Sequence, residues 1–256
     1  MSTRDRRRPG ARAPAIGLTL AAALLASLAL AGRHAARRDP LHRAWSAAQA
    51  AGTYHVRGTT RAATAEGTAA YAVAGSGTAR GALTLTVRSG AVDDGSGTAG
   101  RPSPPDAAGA AITYAIAWPR VTPLSPLAGE PAAPMEPHAV ALVFPAGDPL
   151  ALLAAGHGAR AGPAEPVGGR DCARVDFLVA APAYAAWWLA RRDRLPVNAD
   201  AGGLHKFTAE ATVWLAADTG LPCRIAARVD LPRLAGERPG TGEVDWSYEG
   251  WGAGGR

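Results

Sequence analysis

The sequence lacks the residue spacings that carry recognisable chemistry. It contains no GxSxG, no P-loop, no HExxH and no CxxC, so the common hydrolytic, phosphoryl-transfer and zinc frameworks are missing. Its six histidines, at 34, 42, 55, 138, 157 and 205, are scattered, with no pair at ligand spacing. Asp93 and Asp94 stand together in a glycine/serine loop, but two adjacent carboxylates fall well short of the oxygen set a calcium ion needs. Cys172 has no identifiable base beside it. The expectation is a chain with no catalytic residue, no metal and no cofactor. Cysteine is scarce, two in 256 residues, and none lies near residue 32, which excludes a lipid-modified N-terminal cysteine. There is no internal repeat of the solenoid or propeller kind. The strand–helix alternation of a parallel sheet is absent as well.

Net charge is also missing from most of the chain, despite a pI of about 10.0. Residues 1–38 hold eight arginines and one aspartate, whereas the remaining 218 residues carry 19 basic and 20 acidic side chains. The basicity is a property of the N-terminal tail. Nucleic-acid binding needs a clustered cationic face, and none is expected.

What the tail does have is an export signature. Arg4, Arg6, Arg7, Arg8 and Arg12 precede Ala13–Gly32, an uncharged stretch rich in alanine and leucine and of bilayer-spanning length. It reads as a signal peptide cleaved after Ala31, with Ala29-Leu30-Ala31 as the small-x-small site, or as an uncleaved signal anchor. Its length and the arginines at 33, 37 and 38 tilt the reading toward the anchor. The expected organisation is a basic cytoplasmic tail (1–12), the anchor or signal peptide (13–32), a linker (33–38), a folded domain (39–252) and a short C-terminal tail (253–256). The folded domain then lies outside the cytoplasm, periplasmic or at the cell surface, and is secreted if cleavage occurs.

The folded part reads mainly as antiparallel strands. Asp39-Pro40 supplies an N-cap and a first-turn proline for a helix to about Ala51, with Leu41, Ala44, Trp45 and Ala48 on one face. Strands follow at 53–64, weakly at 71–73, at 82–88 (Leu83, Leu85 and Val87 inward), and at 112–118 (Ile112, Tyr114, Ile116, Trp118). Val121–Pro137 holds five prolines in seventeen residues and reads as a long loop. Ala139–Phe144 is a short apolar strand, Asp148-Pro149 opens a leucine helix, and 169–179 is another strand. Pro182–Arg194 is a helix carrying Trp187 and Trp188, which cannot both face a core because neighbouring helical positions diverge by about 100°. The last fifty residues form a meander of three alternating strands from Phe207 to Tyr248, turned at Asp218-Thr219-Gly220. The fold class expected is α+β: one large curled antiparallel sheet of about nine strands, a half-barrel, with helices against its concave face and an N-terminal transmembrane or signal helix. Cys172 and Cys223 are either a disulfide or two small buried residues. Strand parity puts them on opposite faces, and a bulge would remove that objection.

The order of these parts resembles a known group. Phe144-Pro-Ala-Gly-Asp-Pro149 precedes a leucine helix, Gly168-Gly169-Arg-Asp-Cys172 opens a returning strand, and Thr212-Val-Trp214-Leu leads to Leu221-Pro222-Cys-Arg224 and a terminal Trp246-Ser-Tyr248-Glu-Gly-Trp251. This resembles the lipoprotein-carrier superfamily of LolA-like and LppX/LprG-like exported proteins. The resemblance implies a half-barrel with an apolar cavity for acyl chains. The residues expected to line it are Leu83, Leu85, Ile112, Tyr114, Ile116, Val140, Leu142, Phe144, Val213 and Ile225, with Trp187, Trp188 and the 121–137 loop at its mouth. The function expected is binding of a lipid or lipid-linked ligand, with membrane attachment through residues 13–32. The alternative is an RseB/MucB-like envelope sensor or interaction module acting on a membrane partner. An enzyme with a site assembled from residues read as structural comes third.

Overall fold

Alternation of apolar and polar residues dominates the chain, and the sheet it builds is antiparallel at every pairing. The computed structural model describes residues 39–64, 67–90, 111–117, 120–124, 133–135, 139–140, 143–180, 208–231 and 240–252. The strands are β1 (Thr53–Thr64), β2 (Gly67–Thr78), β3 (Ala82–Ser89), β4 (Ala111–Ala117), β5 (Arg120–Pro123), β6 (Gly156–Ala161), β7 (Glu165–Val167), β8 (Arg170–Val179), β9 (Ala209–Ala216), β10 (Pro222–Leu231) and β11 (Gly240–Glu249). They form one sheet in the order β5-β4-β3-β2-β1-β11-β10-β9-β8-β6, with β7 also paired to β8. The C-terminal meander β9-β10-β11 stands at its centre and joins the N-terminal strands through β1.

One face of this sheet is apolar. Tyr54, Val56, Leu83, Leu85, Tyr114, Ile116, Phe177, Val213, Ile225, Val229, Trp246 and Tyr248 all belong to one buried cluster. Among the described residues two helices complete it. Helix α1 (Pro40–Ala51) buries Leu41, Ala44 and Ala48, the spacing of a single helical face, and stops at Gly52, whose φ of 82° suits glycine. Helix α2 (Pro149–Ala155) starts at Asp148, whose carboxylate accepts the Leu150 N–H at 3.0 Å, and Pro149 occupies its first turn. α2 packs on α1 and on β10, burying Leu150, Leu152 and Leu153.

Glycines on the apolar face let the sheet curl. A Cβ at Gly75 would run into the Thr84 carbonyl of β3, and one at Gly58 into the Asp245 carbonyl of β11. Adjacent strands fold toward each other there more tightly than any side chain allows. The result is an α+β fold with one large, curled, open antiparallel sheet.

Several expected elements differ. The strand expected at 139–144 is helical at Ala139, Val140 and Val143, and the Phe144 N–H donates to the Val140 carbonyl at 2.7 Å. A short apolar run fits either state until its neighbours decide. Here the Thr60 hydroxyl of β1 donates to the Val143 carbonyl at 2.8 Å and pins that turn over the sheet. The loop expected from Val121 begins instead as β5, where Val121 is fully buried and pairs with Ile116. Pro123 is tolerated there because β5 is an edge strand. Strands β6 and β7 were not expected, since GHGARA and EPV lack apolar alternation. With these changes the nine strands expected become eleven among the described residues. Among the described residues no helix is long and apolar enough to cross a membrane. Residues 1–38, the 182–194 helix and the Asp93-Asp94 loop lie outside the described residues.

Candidate functional site

The residues expected to line an apolar cavity can now be placed. Leu83, Leu85, Tyr114, Ile116, Val140, Phe144, Val213 and Ile225 all fall in the one buried cluster between sheet and helices. Tyr114 and Phe144 meet edge-to-face at 6.2 Å. Ile112 shares the strand face of Tyr114 but is 39% exposed, near the start of β4. Leu142, Trp187 and Trp188 lie outside the described residues.

A cleft of about 710 Å³ opens at one end of the sheet, within the usual range for small-molecule sites. Its walls come from the first residues of β1 and β3, the last of β2 and β4, and from β5 and Gly250. Two of the expected wall residues, Leu83 and Ile116, line it together with Tyr54 and Gly77. These four stand in one row of register, Tyr54 beside Gly77, Leu83 and Ile116. The next row, His55, Ser76, Thr84, Ala115 and Thr122, is polar or small and also lines the cleft. The cleft thus joins the buried row to the solvent-facing row. Alternation alone predicts both rows, but only the cross-strand register brings five strand ends to one opening.

Polar groups inside the apolar region are unusual for what they lack. The Tyr54 and Tyr248 hydroxyls and the Trp246 indole N–H are buried without a hydrogen-bond partner among the described residues, although such groups are nearly always satisfied in folded proteins. Tyr54 and Tyr248 meet edge-to-face at 5.4 Å, and Trp251 lies over both, at 5.1 and 6.0 Å. Burial pushes both phenols well above their ordinary pKa, and the Asp148 carboxylate adds to the shift. Burial also raises that of Tyr114. All three stay protonated donors under any physiological condition.

The opposite sheet face carries a separate polar network. Arg224 grips Asp245 with two hydrogen bonds, of 2.7 and 2.5 Å, and lies 4.6 Å above the Trp214 ring. The Trp214 N–H donates to Glu165 at 3.2 Å. Arg174 bonds Asp176 at 3.0 Å and Glu165 at 3.4 Å. The Thr212 hydroxyl, ahead of Arg174, holds the Asp176 carboxyl below its usual pKa. Below Trp214, Cys172 and Cys223 form a disulfide. The pairing of β10 with β9 shifts between Pro222 and Arg224, and this bulge turns Cys223 out of the face of Ile225 and toward Cys172. Sequence parity missed it because a bulge breaks the alternation. This network is structural: each charge has an opposite partner. Among the described residues no group of His, Cys, Asp or Glu could hold a metal ion.

No family model and no curated protein matches the sequence. Among solved structures the chain is similar to LprF from Mycobacterium bovis, at 13% identity over 85% of this chain and 93% of that one, with a TM-score of 0.41. It is similar to the Mycobacterium tuberculosis lipoprotein LppX at 12% identity, over 85% and 95% of the two chains, with a TM-score of 0.40. It is also similar to a chain of the Pseudomonas aeruginosa MucA/MucB complex at 15% identity, over 83% of this chain and 56% of that one, with a TM-score of 0.31. The resemblance to LppX/LprG-like proteins read from the sequence is met again among the structures.

Proposed function

We propose that the folded domain is a non-catalytic binder of a lipid or lipid-linked molecule, carrier-like in action. The observation that supports this most directly is the cleft at the sheet end, which runs from the buried row of Tyr54, Leu83 and Ile116 out to a polar rim. An amphiphile matches that gradient, with acyl methylenes inward and head group outward. Each methylene moved from water into an apolar wall contributes about 0.8 kcal/mol, so about ten of them supply the roughly 8 kcal/mol of micromolar affinity. Of the three residues with unpartnered interior donors, Tyr54 belongs to the wall of this cleft.

The disulfide fits a domain exported to an oxidising compartment, attached to the membrane through residues 13–32 or released after Ala31. Retention of that segment favours the alternative role, an envelope sensor or interaction module for a membrane partner. N-terminal sequencing of the exported protein separates the two. The lipid reading itself is tested by native mass spectrometry after gentle extraction. Adducts of lipid mass are expected, and they should disappear in Leu83→Glu, which puts a charge on the cleft wall. A folded protein that never carries lipid, and takes none up from detergent-solubilised membrane extracts, overturns the reading.

A further inference from the structure

Two of the polar groups closed inside the apolar layer stand together. Val56, two residues along β1 from Tyr54, is opposite Tyr248 on β11, so the two tyrosines are diagonal neighbours on one sheet face. Their rings meet at 5.4 Å. Both hydroxyls are closed to solvent and have no hydrogen-bond partner among the described residues. Each therefore forgoes the bonds it had in water, a condition that folded proteins seldom leave uncorrected.

Tyr54 also belongs to the cleft. It lines the wall, whereas Tyr248, in contact with it, does not. Its phenol end lies across Gly77, where an added Cβ would come within 2.8 Å of the hydroxyl and 2.5 Å of Leu83. Gly77 and Leu83 line the cleft too. The ring thus stands between the opening and Tyr248, in a berth that exists because β2 has no side chain there. No hydrogen bond from its hydroxyl holds it among the described residues. A guest that moves the ring aside replaces the lost packing with its own chain, and the hydroxyl gains an acceptor.

The surroundings say which acceptor suits the pair. The Asp148 carboxylate acts electrostatically on both phenols, so a second anion beside them is repelled. The inner row of the cleft, Tyr54, Gly77, Leu83 and Ile116, supplies no cation to offset it. A neutral carbonyl oxygen takes two donors and needs no counter-charge. We infer that Tyr54 is a displaceable plug at the inner end of the cleft, and that the Tyr54 and Tyr248 hydroxyls donate to neutral ester carbonyls of the guest that displaces it. This rests on the proposed lipid reading and adds the linkage that the site selects.

The test is isothermal titration of the full chain with dihexanoylglycerol, its ether analogue dihexylglycerol, and dodecanoate, each below any micelle-forming concentration. The diester is expected to bind about tenfold tighter than the diether, and tighter than dodecanoate as well. Its binding should also alter the near-ultraviolet circular dichroism, because the Tyr54 ring leaves Tyr248 and Trp251. Tyr54→Phe/Tyr248→Phe keeps both rings and removes both hydroxyls. It should weaken the diester about tenfold and leave the diether unchanged. Since neither hydroxyl has a partner among the described residues, the thermal melt of this variant should not fall below wild type.

Equal binding of diester and diether, a preference that survives the double substitution, or an unaltered near-ultraviolet spectrum overturns the inference and leaves the lipid reading standing. A lowered melt shows that the hydroxyls are bonded in the empty protein, and overturns it likewise. Dodecanoate binding as tightly as the diester overturns the ester assignment. Binding of none of the three overturns the proposed function as well.

Discussion

Two glycines and two tyrosines set the character of the curled sheet, and each has a distinct consequence. At Gly77 an added methyl meets the Leu83 side chain and the Tyr54 ring, so Gly77→Ala is expected to cost about 1–3 kcal/mol through overpacking. At Gly75 the obstacle is the Thr84 backbone, which cannot rotate away, so Gly75→Ala should cost more. Urea denaturation of the two variants checks the order, and a reversed order would mean that the curl is not set there. The tyrosines bear on pH. Burial first, then Asp148, raises the Tyr54 phenol above its unfolded value, and burial likewise raises Tyr248. The unfolded chain therefore releases these protons near pH 10 while the folded one keeps them. Their contribution to stability is complete below about pH 10 and declines as pH rises beyond it. Phenolate absorbance from these two residues should appear together with loss of the circular-dichroism signal. Ionisation near pH 10 in a protein that remains folded would contradict their burial.

Among the elements, the disulfide joins β8 to β10 and straddles β9, closing a separation of 51 residues. Constraining a loop of that length in the unfolded chain is worth about 4 kcal/mol on the chain-entropy account. The paired substitution Cys172→Ala/Cys223→Ala should lower the unfolding free energy by roughly that amount, read from denaturant midpoints with and without reductant. The same element shows why some of the structure was legible and some was not. Val213 and Ile225 announce their face by alternation alone, and the meander formed as read. Cys223 does not, because its direction depends on a bulge fixed by the register with β9. Likewise β5 is a strand because Val121 finds Ile116 across β4, a fact about the partner and not about the proline-rich stretch that contains it. The run at 139–144 is apolar enough for either state, and the Thr60 bond to Val143 links positions 83 residues apart.

For the molecule as a whole, the large curled antiparallel sheet with its greasy face was legible, since that depends only on composition and period. The cleft was not. Leu83 and Ile116 could be named as wall residues, but His55, Thr84 and Thr122 join them at one opening only once five strand ends are brought side by side, and local pattern carries no such information. The pairing of β1 with β11 has a similar long-range origin and ties the start of the described chain to its end. The cystine also alters how this molecule responds to damage. A protease that cuts the polypeptide anywhere from Ala173 to Pro222 divides it into two fragments that the sulfur bridge still holds as one covalent body. A single nick in that interval therefore goes unnoticed on a non-reducing gel, and both halves of the sheet remain within reach of each other to close again.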